Sequence, residues 1–154
     1  MSKENPRQPV LVSACLLGLP TRYDGQARPS QAVTDYLQRE NLLPIPACPE
    51  QLAGMPTPRA KSFFHTGDGR DVMSGTGSVI SATGQPMNDV FQRGAQLTLQ
   101  VARLCGCQRA LLKERSPSCG VHQVYRGSEQ VPGSGVTTAL LLEAGIEVLS
   151  EEDL

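Results

Sequence analysis

The stretch PVLVSACLLG, Pro9 to Gly18, decides how this chain is expected to fold. Its first half is a short apolar run rich in β-branched residues, the pattern of a strand buried on both faces. Turn-formers follow at once in LPTRYDG, so Cys15 stands where a strand gives way to a loop. Cysteine is among the most buried residue types, so its place at a strand exit needs a reason.

The same arrangement recurs along the chain. LLPIPACPE, Leu42 to Glu50, is a second apolar run that ends at Cys48, and its two prolines suit an edge strand. RALLKE is a third run, and it leads into KERSPSCG, where Cys119 sits in a polar, tightly turned loop. Between the runs lie amphipathic segments. SQAVTDYLQREN has Ser30 as a candidate N-cap with Val33, Tyr36 and Leu37 on one face. The segment from Met87 to Gly106 carries Val90, Phe91, Leu97, Val101 and Leu104, with Asn88 as a possible cap and Gly106 as the stop. GVTTALLLEAG is a helix stopped by Gly145, and IEVLS is a last strand. SVISATG and VHQVYRG are each read as a short strand or a loop, and Gln51 to Gly84 otherwise reads as extended and glycine-rich chain.

Strands that alternate with helices predict an α/β fold, with a Rossmann-like, mainly parallel sheet and helices on both faces. Its 154 residues suit a single domain, residues 1–154, with residues 1–8 as a tail. In such folds ligands gather outside the carboxyl ends of the strands. Cys15, Cys48 and Cys119 each follow a strand, so parallel pairing brings all three to one edge of one sheet. Adjacent strands are about 4.8 Å apart, close enough for three such loops to meet on one object.

Composition excludes several classes of function. A formal net charge of −1, with acids and bases interspersed, leaves no electrostatic footprint for nucleic acid or membrane. The absence of Trp and the scarcity of aromatics argue against a base-stacking platform. The beginning MSKENPRQPV has no apolar signal region, and no apolar run approaches the ~18 residues of a spanning helix, so a cytoplasmic protein is expected. The glycines of GSGVTTA lack the lysine of a phosphate loop, and those of GTGSVIS fit that role less well still.

Five cysteines in a cytoplasmic chain of this size do not form a disulfide framework. Cys105, near the end of a helix, is expected in the core, and Cys107 lies in the following turn. The other three point to shared ligation, because thiolates at one edge repel unless a cation or cluster neutralises them. Soft thiolates without nitrogen or oxygen ligands select zinc, copper(I) or an iron–sulfur cluster. Neither His65 nor His122 is well placed to complete a four-ligand zinc site. One ligand per strand suits a bulky cluster better than the compact knuckles of small zinc sites. Around the thiols stand Arg22, Tyr23 and Asp24 in the first loop, Glu50 beside Cys48, and Ser116 and Ser118 before Cys119. A carboxylate near an open metal position can move protons, and serines can hydrogen-bond a substrate.

SACLLG with RYDG, then CPE, TPR, GDGRDV, FQRGA, KERSPSCG and GVTTALL resemble a family of short, single-domain bacterial proteins formerly of unknown function that includes the thiouracil desulfidases. The resemblance runs from about Val12 to Ser150. It implies a 4Fe-4S cluster held by Cys15, Cys48 and Cys119, with the fourth iron open to the sulfur of a thiolated pyrimidine. It further implies that Glu50 is the acid/base and Ser116 an active-site serine; Arg22, Tyr23, Asp24 and Ser118 are expected near the substrate from their places beside the cysteines. The expected activity is non-redox C–S hydrolysis that releases sulfide. The alternatives are an iron–sulfur or sulfur carrier, a redox sensor without turnover, or a zinc-stabilised domain.

Overall fold

A computed structural model describes residues 5–154. Strands β1 (Gln8–Ser13), β2 (Leu42–Ala47), β5 (Arg109–Leu112) and β8 (Glu147–Ser150) form one wholly parallel sheet in the order β2-β1-β5-β8. The chain runs from β1 to β2 on one side and places β5 on the other. The point where the order reverses therefore lies between β1 and β5, the position where such sheets bind ligands. Pro44 and Pro46, two residues apart, both fall on edge strand β2, where a missing donor costs no ladder bond.

Strand β1 is the centre of the core, with Val10, Leu11 and Val12 fully buried. Its side chains alternate between faces. Leu11 packs with Leu99, Ala102 and Leu141 from α4 (Asn88–Cys105) and α5 (Val136–Glu143). Val10 and Val12 pack on Val33 and Leu37 of α1 (Gln31–Arg39). Helices thus cover both faces, as the unbroken apolar run requires. Ser30 caps α1 as expected, its side chain accepting the N–H of Val33 at 3.3 Å.

The fold has a second layer, of which sequence patterning offered only SVISATG and VHQVYRG, each as a strand or a loop. Strands β3 (Ser62–Thr66), β4 (Ser78–Ser81), β6 (Gln123–Arg126) and β7 (Glu129–Pro132) make a mixed sheet in the order β4-β3-β6-β7. It packs around Phe64, Val72, Val79 and Val124. Helix α4 joins the two layers, giving Phe91 and Ala95 to this core and Leu99 and Ala102 to the other. Within the expected glycine-rich loop lies α3 (Gly69–Ser74), opened by a capping box between Asp68 and Asp71.

Three expectations need correcting. Asn88 is not the cap of α4. Met87 takes that position, and the Asn88 side chain instead accepts from Val79 N–H (2.8 Å) and donates to the Gly77 carbonyl (3.0 Å), tying the helix to β4. Cys105, expected in the core, is exposed, and it is Cys107 in the following turn that is buried. Gly106 takes φ +73, which turns the chain back so that Cys107, its N–H on the Ala102 carbonyl, enters the core. Of the tail expected over 1–8, residues 1–4 lie outside the described residues, and Gln8 already pairs in β1. Among the described residues no helix is long and apolar enough to cross a membrane.

Candidate functional site

The carboxyl edge of the parallel sheet opens into a cavity of about 540 Å³, within the ~300–1,000 Å³ range of small-molecule sites. Cys15, Cys48 and Cys119 all line it, together with Glu50, Ser116, Arg22 and Tyr23. The strand-end argument is met: β1, β2 and the loop after β5 each deliver one thiol.

Each thiol is held by local chain geometry. Cys15 lies in a 3₁₀ turn over Ala14–Leu17, and its carbonyl accepts the N–H groups of Gly18 (3.2 Å) and Arg28 (2.9 Å). Cys48 is the N-cap residue of α2 (Pro49–Leu52), which places Glu50 in the first turn. Helix α2 backs onto α4 so closely that a Cβ on Gly94 would sit 2.5 Å from the Pro49 carbonyl oxygen. Only glycine at 94 permits that approach. Cys119 donates its backbone N–H to the Ser116 hydroxyl oxygen at 3.1 Å, and Ser118 N–H joins it at the same distance. Ser116 Oγ thus accepts twice from the backbone, leaving its own O–H to donate elsewhere.

All five cysteines are free thiols. Burial raises the three in the cavity: Cys15 is pushed up to about 11, Cys48 is raised, and Cys119 lies well above its ordinary value. Mutual repulsion between the thiolates adds to each of the Cys15 and Cys119 shifts. A bound cation reverses this logic and deprotonates a coordinating thiol. Three soft sulfurs so placed are a donor set that a cationic centre would suit. Among the described residues, no three His, Cys, Asp or Glu side chains gather closely enough to hold one metal ion. Three soft thiols on a shared cavity, one from each strand exit, are a donor set that suits an iron–sulfur cluster.

Glu50 is enclosed beside Arg59, whose side chain is 3% exposed. The guanidinium reaches both carboxylate oxygens, at 3.5 and 3.4 Å, and is itself held by the Thr21 carbonyl (2.9 Å) and Thr57 Oγ1 (2.8 Å). Burial raises the Glu50 pKa and Arg59 opposes it, with burial the stronger. A carboxyl so balanced can both hold and release a proton.

Asp24 and Ser118, expected near a substrate, do not line the cavity. Asp24 faces its own turn, accepting Gln26 N–H at 3.0 Å and lying 3.8 Å from Arg22. Ser118 is buried behind the loop, where its carbonyl accepts Thr137 N–H at 2.9 Å. Lys61 and Tyr125 do line the cavity and were not anticipated. Both come with the second sheet, Lys61 just before β3 and Tyr125 within β6, with the Lys61 ammonium 4.9 Å from the Tyr125 ring centre.

The loop that carries Cys119 is also gripped from outside. Glu151, in the turn after β8, accepts Glu114 N–H at 2.7 Å and pairs with Lys113 at 3.3 Å. Glu152 pairs with Arg115, and Asp153 meets His122 Nε2 at 2.9 and 3.0 Å. The Asp153 contact raises the His122 pKa from its ordinary 6.5. The stabilisation is therefore full below pH ~6.5 and fades as pH rises through the higher folded value. The His122 side chain is 59% exposed, so the contribution is at most about 1 kcal/mol and shrinks with salt. Apo protein should lose this increment between mildly acidic and alkaline pH in denaturant titrations, and His122→Ala should abolish that part of the dependence.

A doubly covered parallel sheet with three free thiols at its carboxyl edge and an enclosed carboxyl beside them defines an α/β protein with a thiol-lined site. The family model described as 2-thiouracil desulfurase matches residues 10–153, and the chain belongs to that family. It is 38% identical over 148 residues to the uncharacterized protein YbbK of Bacillus subtilis (strain 168), covering 94% of this chain and 97% of that one. Among solved structures it is similar to the 4Fe-4S-dependent thiouracil desulfidase TudS, with TM-score 0.81 and 39% identity over 96% of this chain and 93% of that one. The resemblance drawn from the sequence motifs is thereby established.

Proposed function

We propose that this protein is a 4Fe-4S-dependent desulfidase that removes sulfur from a thiolated pyrimidine by non-redox C–S hydrolysis. The observation that carries this is the meeting of three unpaired thiols, Cys15 and Cys119 buried and Cys48 half-buried, around one cavity beside an enclosed carboxyl. Cys15, Cys48 and Cys119 would hold the cluster, which when bound supplies a Lewis-acidic iron for the thiocarbonyl sulfur. Water replaces sulfur at the ring carbon, the C–S bond breaks, and the two protons of water leave with sulfur as hydrogen sulfide. No electron acceptor enters the balance.

The chain's own groups cover the remaining needs. Glu50 takes a proton from the attacking water and returns it to the departing sulfur, with Arg59 fixing its orientation. Ser116 offers its hydroxyl proton to the ring or the water. Arg22 and Tyr23 line the wall beside the bound ring. Carrier and sensor roles would use the same thiols, but neither needs a carboxyl balanced between burial and a guanidinium.

Protein reconstituted with iron and sulfide without oxygen should be coloured, carry iron rather than zinc, and release sulfide from 2- or 4-thiouracil, thiouridine or its monophosphate. Zinc without iron would remove the cluster from the proposal. An iron-loaded protein inert toward all four compounds would remove the substrate class.

A further inference from the structure

Glu114 has no role in the chemistry above, yet it is the most buried acid in the cavity wall, only 2% exposed. Its Oε1 accepts the N–H groups of Val121 (2.7 Å), His122 (2.8 Å) and Gln123 (3.0 Å), and more distantly that of Arg115 (3.4 Å). Its Oε2 is buried and has no partner among the described residues. No described basic side chain pairs with the carboxylate. Lys113 instead donates to the Glu114 backbone carbonyl at 3.0 Å and pairs with Glu151. The charge is met by converging backbone dipoles, an anion nest filled by the chain's own side chain. Burial raises the Glu114 pKa, but the four backbone donors outweigh it and hold the group below its ordinary value, so it stays ionised.

The placement of those donors matters. Residue 114 precedes the Ser116–Cys119 turn and residues 121–123 follow it, so one oxygen atom closes both ends of the loop. Inside this ring Ser116 closes a smaller one, through its hydroxyl to Ser118 and Cys119 and its carbonyl to Gly120 N–H at 2.8 Å. Arg115, held at its N–H by the same Glu114 oxygen, takes φ +68, a conformation uncommon outside glycine. A buried carboxylate without a counter-charge is costly, and a surface turn does not require one.

We infer that Glu114 is the positioning residue for Cys119: by bracing both ends of the loop it aims the thiol into the cavity before a cluster is present. This rests on the cluster assignment proposed above. The test compares wild type, Glu114→Ala and Glu114→Gln, each reconstituted anaerobically. The readouts are iron per chain, the rate at which an iron chelator bleaches the cluster, and amide hydrogen exchange at Val121–Gln123 in the apo proteins. Hydrogen bonds to a charged group are worth about 1.5–3 kcal/mol, so Glu114→Ala should speed both exchange and bleaching by about tenfold or more. Glu114→Gln keeps an acceptor oxygen and should restore most of both. Glu114→Ala with wild-type bleaching overturns the proposal whatever its exchange rate, as does a glutamine variant as poor as alanine. If the alanine variant does not fold, Glu114→Asp decides, since its shorter arm should speed bleaching and wild-type retention would overturn the proposal. If wild type and variants alike take up no iron, the cluster assignment fails and this proposal with it.

Discussion

Replacing any one of Cys15, Cys48 or Cys119 by alanine is expected to strip most iron from the protein and abolish desulfuration. On the proposed assignment the three thiols act as a unit, because a cluster with two protein sulfurs is poorly held. Each comes from a different strand end, so none of the neighbouring loops carries a spare. Cys107 cannot substitute, being packed with Leu99 and Ala102 in the core, and Cys105 is exposed on the outside of α4. Cys105→Ser should therefore keep both iron and turnover. Iron analysis after anaerobic reconstitution checks the whole set. A Cys105 or Cys107 variant that loses iron while Cys48→Ala keeps it would overturn the ligand assignment.

Glu50→Gln is expected to separate binding from chemistry. The amide cannot shuttle protons, and that function typically contributes about 10²–10⁴-fold to rate. The three thiols and α2 remain in place, so cluster absorbance should match wild type while turnover falls by that factor. The Arg59 guanidinium would then face a neutral partner, but it keeps the Thr21 carbonyl and Thr57, so the local fold should persist. Single-turnover sulfide release at matched iron content is the measurement. Full activity in Glu50→Gln would transfer the proton role to another group on the cavity wall, such as Ser116.

The parallel sheet and its thiols were legible in the sequence because each signal was local and strong. The run over Pro9–Ser13 is apolar without a break, α4 keeps helical spacing over eighteen residues, and a cysteine marks each strand exit that matters. The second sheet was only half legible, β4 and β6 reading as strand or loop and β3 and β7 not read as strands at all, for a physical reason. Its strands are four or five residues long, and β7 buries none of its four. Phe64 is fully buried only because α4 and β6 come to it from distant parts of the chain. Lys61 and Tyr125 were missed with those strands. The capping box at Asp68 and Asp71 was a readable helix signal inside a stretch that otherwise looked like loop. Asp24 and Ser118 show the opposite error: neighbours in sequence to site residues, they turn away from the cavity because a turn and a helix N-terminus claim their polar groups.

The turn at Glu151–Asp153 bears on when the site can exist during synthesis. A ribosome delivers Cys15, Cys48 and Cys119 in that order, but the carboxylates that clasp the third loop emerge only afterwards, on the far side of α5 and β8. Strand β8 must also add to β5 before the turn can reach Lys113 and Arg115. Such non-local pairing comes late in folding. A nascent chain that has released all three thiols therefore still lacks the clasp, and its cysteines are open to oxidation and to the wrong metal. On the proposed cluster assignment, a cluster that arrived before residues 151–153 had emerged would meet a third loop without its clasp.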